Sequence, residues 1–113
     1  MTYDLEKRTK IFAKNVINCC RQIKINILNS NIISQLLRSA TSVGANYHEA
    51  NGASSKNDFR NKIHICKKEI KETGYWIELL IETDPHNKQL LDKIEKETHE
   101  LTLIFNKISF SLK

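Results

Sequence analysis

Four histidines and three cysteines raise metal ligation and thiol chemistry as the first possibilities in this sequence. A di-iron site in a helical protein needs Glu-x-x-His on facing helices, so that both ligands leave one face a turn apart. The residues three places before His48, His64, His86 and His99 are Ala45, Asn61, Thr83 and Lys96, so that pattern does not occur. His64 and Cys66 are two apart and point to different sides of a helix. Cys19, Cys20 and Cys66 make no C-x-x-C pair. Their odd number and the adjacency of two of them read as reduced thiols in core positions, which suits the cytoplasm. The sequence holds no Gly-rich phosphate loop, no G-x-S-x-G and no H-E-x-x-H. The expectation is no metal, no cofactor and no enzymatic activity.

Two other groups of residues stand out. Lys56, Arg60, Lys67 and Lys71 recur at helical spacing, with His64 among them. Lys7, Lys10, Lys14, Arg21 and Lys24 lie opposite an apolar stripe nearer the N-terminus. Rows of cations can track phosphates, a chemistry that ignores base sequence and weakens with salt. They can equally serve only to solvate a helical face. Base stacking needs exposed aromatics, and Tyr3 is the aromatic placed near the basic faces. The second group is a polar stripe of Gln35, Ser39, Ser42, Asn46 and Glu49, beside the small residues Ala40, Gly44 and Ala45. It is either solvated or a polar seam within one chain or between subunits. As a seam its buried groups need partners, and Arg38 with Glu69 or Glu72 can supply them.

The elements that would position these residues follow from apolar periodicity. Leu5, Thr9, Phe12, Val16, Cys19 and Ile23 step by three and four along a first helix. Ile33, Leu36, Ala40, Val43, Tyr47 and Ala50 mark a second, with Ser30 as its N-cap and Asn51-Gly52 as a left-handed stop. Phe59, Ile63, Cys66, Ile70, Thr73, Ile77 and Leu80 mark a third, opened by Ser55 with Asp58 three residues on. Asp84-Pro85 reads as N-cap and first residue of a fourth helix. That helix carries Leu91, Ile94, Thr98, Leu101, Phe105, Ile108 and Leu112. The connection Ile25 to Ser30 holds three aliphatics and should fold back over the bundle end or into another subunit. Trp76 is expected in the core or an interface.

One proline and three glycines in 113 residues suit a few long helices in a single domain, residues 1–113. Short links imply an all-α, antiparallel, up-down-up-down four-helix bundle. The net charge is +5. Residues 1–71 hold 13 Lys/Arg and 5 Asp/Glu, whereas residues 72–113 hold 5 and 8. A basic half and an acidic half suit an anionic partner or self-association between unlike faces. No apolar run is long enough to span a bilayer, and no apolar leader is visible near the N-terminus, so neither membrane nor secretion is expected.

Three stretches carry a resemblance: QLLRSATSVGANYHEA (Gln35 to Ala50), SKNDF (Ser55 to Phe59) and KKEIKETGYWIELLIE (Lys67 to Glu82). They resemble the bacterial four-helix-bundle proteins encoded in intervening sequences of 23S rRNA genes, often labelled S23 ribosomal protein. The LEKRTKIFAKNVI segment of the first helix is similar as well. The most specific element is the pattern of Arg38, Ser39, Ser42, Asn46, Glu49 and Ala50. Gly74 and the INILNS connection depart from the pattern. The resemblance implies a homopentameric ring and a link to RNA. A related branch resembles accessory proteins of diversity-generating retroelements, which bind nucleic acid and a reverse transcriptase through a basic surface. Read together, these features lead to the expectation of an oligomeric RNA- or DNA-binding protein. The alternative is a scaffold for a protein partner.

Overall fold

A computed structural model describes residues 4–112, so Tyr3 lies outside the described residues. It contains four α-helices: α1 (Leu5–Arg21), α2 (Ser30–Asn51), α3 (Lys56–Thr83) and α4 (Lys88–Ser111). A 3-10 turn at Pro85–Asn87 leads into α4, and no strand occurs among the described residues. The three-four spacing buries one stripe per helix. Phe12 and Val16 from α1, Leu36 and Val43 from α2, Ile70 and Ile77 from α3, and Leu91 and Phe105 from α4 share one core. α1 packs on α2 and α4, and α3 packs on the same two, while the backbones of the diagonal pairs α1–α3 and α2–α4 stay apart. The longest dimension, 44 Å, is close to the ~42 Å expected of the 28-residue α3 at 1.5 Å per residue.

Contact is greatest between α2 and α3 and least between α1 and α4. Arg8 spans the weaker seam. Its Nε donates to Glu97 at 2.7 Å, and its Nη2 donates to Glu97 at 2.8 Å and to Glu100 at 2.8 Å. α1 and α2 come close where α2 has no side chain. A Cβ at Gly44 would lie 3.3 Å from Thr9 Oγ1, a hydroxyl fixed by its 2.6 Å bond to the Leu5 carbonyl. Gly74 has no such constraint, since a Cβ there would meet Thr98 Cγ2 at an ordinary 3.7 Å. Gly74→Ala should therefore stabilise the protein by about 1 kcal/mol through helix propensity alone. Denaturant titration would check this, and an unchanged midpoint would contradict it.

Local cap signals held at Ser55, whose side chain accepts from the Asp58 N–H. They failed at three other places. Ser30 is already helical, and Asn29 precedes it without capping. Gly52 ends α2 at φ −98°, so no left-handed residue is used there. Asp84 does not cap α4, because its carboxylate is buried against Asn29 and Thr83.

The α1–α2 connection departs from the first of its two expected placements, over the bundle end. Ile25, Ile27 and Leu28 do not cover the end of the bundle; Ile27 is 96 % exposed. Asn29 does the covering instead. Fully buried, it accepts from Asn26 N–H at 2.8 Å and donates to the Lys24 carbonyl and to Asp84 Oδ2, each at 3.0 Å. Asn26 Oδ1 accepts from Leu28 and Asn29 N–H. With the polar side chains turned inward to satisfy the loop backbone, the aliphatic ones are turned out.

Candidate functional site

The polar stripe of α2 divides where α3 crosses it. Ser39 is fully buried opposite Thr73 of α3, whose hydroxyl lies 2.9 Å from Ser39 Oγ and 2.8 Å from the Glu69 carbonyl. Arg38 reaches across the same junction. Its Nη1 donates to Glu69 Oε2 at 3.0 Å, its Nη2 to Glu72 Oε1, and its Nε to Gln35 at 3.1 Å. Half-buried Trp76, packed against the core, donates its Nε1–H to Glu72 at 3.1 Å. The Glu69 side chain is only 9 % exposed, and its Oε1 has no hydrogen-bond partner. Bonding to Arg38 first, and to Trp76 second, holds the Glu72 carboxyl below its usual range. Bonding to Glu72 first, and to Glu69 second, raises the Arg38 guanidinium.

The other half of the stripe behaves differently. Ser42 donates to the Arg38 carbonyl at 2.7 Å and Asn46 to the Ser42 carbonyl at 2.8 Å, both within α2. Glu49 is 57 % exposed and meets Lys62 at 3.5 Å. Within one chain the stripe is thus a buried seam at Ser39, whereas Ser42 and Asn46 are half-buried and bonded within α2, and Glu49 is exposed. Glu49→Ala should cost no more than about 0.5 kcal/mol, as for other exposed pairs. A melting-temperature drop of ten degrees would show that Glu49 has a buried partner.

The basic residues fall on two separate surfaces. Lys7, Lys10, Lys14 and Arg21 are exposed on α1. Lys56, Arg60 and Lys71 are exposed on α3, with Lys67 half-buried. Because α1 and α3 occupy opposite corners, one chain presents two tracks rather than one patch. Arg8, Arg38, Lys62 and Lys88 are taken up in ion pairs, whereas none of these eight is in an ion pair among the described residues.

The edge between α3 and α4 carries an open groove of about 1230 Å3. Lys71, Lys93 and Lys96 line it together with Glu78, Asp92, Glu95, Glu97 and Glu100. Acids predominate, so this groove is not a phosphate cradle. Sequence reasoning missed it, and also missed the Asn29–Asp84 and Arg8–Glu97 links, because each joins residues far apart in the chain.

The three thiols are buried and unpaired with each other. Burial pushes Cys66 up to about 12, and burial with the adjacent Cys19 does the same for Cys20. Such thiols are poor nucleophiles at neutral pH. Among the described residues no group of three His, Cys, Asp or Glu side chains could hold a metal ion. No helix there is long and apolar enough to cross a membrane.

These features define a class first: an all-helical protein of four packed helices, with a structural ion-pair seam joining α2 and α3. The chain belongs to the 23S rRNA-intervening sequence protein family, whose model matches residues 2–107. It is similar to a crystal structure of a protein with unknown function from the S23 ribosomal protein family of Bacteroides thetaiotaomicron. The two share 33 % identity over 92 % of this chain and 96 % of that one, with a TM-score of 0.79. No curated protein matches it.

Proposed function

We propose that this protein is a non-enzymatic, self-assembling nucleic-acid-binding protein, associated with RNA in the cytoplasm. The observation that carries the reading is the division of its cations. Lys7, Lys10, Lys14, Arg21, Lys56, Arg60, Lys67 and Lys71 have no acidic partner among the described ion pairs, so they are available to phosphates. Membership of a family described by rRNA intervening sequences supports RNA over other polyanions. The helices alternate up and down, a reading supported by the order of cross-links, with Ser39 near Thr73, Val43 near Cys66 and Glu49 near Lys62. Five copies form a ring in which two weak tracks per chain add by multivalency.

The test is a gel shift with a structured RNA at low and moderate salt. Reversing Lys67 and Lys71 together to Glu should weaken binding roughly tenfold or more and lower the salt slope by about two. The fold should be unaffected, since neither side chain is fully buried. Binding equal to the parent's would overturn the assignment. A protein partner that survives nuclease treatment, with no salt-sensitive RNA binding, would favour the scaffold reading instead.

A further inference from the structure

At one end of the molecule the α1–α2 loop presents Ile25, Ile27 and Leu28 outward, 64 %, 96 % and 69 % exposed. The loop is not a slack segment. The bonds of Asn26 and Asn29 fix its backbone, and Asn29 ties it to Asp84 at the α3–α4 connection. Holding three aliphatics in water on a built loop is costly, and contiguous exposed apolar groups mark contact surfaces. Arg21 and Lys24 flank them, both exposed, so the knob is apolar with a basic rim.

The matching surface lies on the same chain. The Asn29–Asp84 bond places the knob and the α3–α4 connection at the same end. The helix contacts place the α1–α2 edge opposite the α3–α4 edge. The α3/α4 groove begins just below that end: Glu78 lies five residues before the last residue of α3, about 7.5 Å at 1.5 Å per residue. Tyr75, 56 % exposed, stands beside it. Arg8 takes Glu97 and Glu100, and Lys88 takes Asp92, which leaves Glu78 and Glu95 as the acids free to meet a partner among the described ion pairs. Apolar centre and basic rim on one edge thus match aromatic and acids on the opposite edge, in the half of the groove nearer the same end.

We propose that the α1–α2 knob of one copy seats in the loop-end half of the α3/α4 groove of the next copy. Ile27 packs against Tyr75, and Arg21 and Lys24 face Glu78 and Glu95. A contact joining opposite edges is head-to-tail, and head-to-tail contacts close into rings when the rotation allows. The proposal rests on the self-assembly put forward above and identifies the surfaces that produce it. It takes Arg21 out of the phosphate-facing cations of the assembled protein and leaves Lys56, Arg60 and Lys67, at the other end of α3, free for phosphates.

The experiment is light scattering coupled to size exclusion. Ile27→Glu should reduce the assembly to a single 13.1 kDa chain, with an unchanged helical circular dichroism spectrum, because Ile27 supports nothing within its own chain. Glu78→Arg with Glu95→Arg should do the same from the groove side. Mixing the two variants should then give a dimer and nothing larger, since only one intact knob and one intact groove remain. An oligomer that survives Ile27→Glu would overturn this inference and leave self-assembly standing. A parent chain that is itself monomeric would overturn both. Failure of the mixed variants to pair would show that the knob and groove do not meet.

Discussion

Phe105→Ala is expected to cost about 3–5 kcal/mol of stability, a large part of the roughly 5–15 kcal/mol available to a domain of this kind. Phe105 is fully buried on α4 and meets Tyr47 of α2 edge-on, with ring centroids 6.1 Å apart and planes at 66°. The backbones of α2 and α4 do not pack on each other. The two rings therefore span the diagonal of the bundle, where only long side chains reach. Removing the Phe105 ring leaves a void in the fully buried core, so a cavity penalty adds to the lost burial. The edge-on ring contact, about 0.5–1.5 kcal/mol, is lost as well. Urea titration would check this, read at constant slope. A loss below about 1 kcal/mol would mean that the surrounding helices had collapsed into the space. Phe105→Leu, which keeps most of the volume, should cost far less.

Arg38→Met is the second large effect, about 2 kcal/mol at neutral pH. The cost comes less from losing an attraction than from stranding the Glu69 carboxylate, which is 9 % exposed. It sits below the usual range for breaking a buried pair because Arg38 itself is 45 % exposed and screened by water. The pH dependence has a definite sign. In the parent, Arg38 holds Glu72 below its ordinary value, so that contribution is present above the usual carboxylate range and is lost as pH falls through the lowered pKa. In Arg38→Met that contribution is gone, so the gap between parent and variant narrows toward acid. Stability curves at neutral and acid pH would test it. A gap that widens in acid would contradict the assignment of Arg38 as the cation of this seam. Adding Glu69→Leu to Arg38→Met should restore most of the loss.

Much of this protein was legible along the chain because its determinants are local. Three-four spacing of Leu5 to Ile23, Ile33 to Ala50, Ile63 to Leu80 and Leu91 to Leu112 depends only on helical period, and the four helices follow it. The cap at Ser55 is equally local, since donor and acceptor are three residues apart. Ser30 and Asp84 show where locality ends. Each has a good cap residue's chemistry, but Asn29 and Asp84, 55 residues apart, bond to each other and override both signals. The polar stripe of α2 has one period and two fates. Ser39 is buried because Thr73 lies across from it, and Glu49 is solvated because only the flexible Lys62 does. Likewise the sequence counts the cations, but only the packing order puts α1 and α3 at opposite corners and so splits them into two tracks. Period and charge are properties of one helix and can be read from it. Burial, pairing and the shape of a surface belong to whatever stands opposite, and the fold alone decides that.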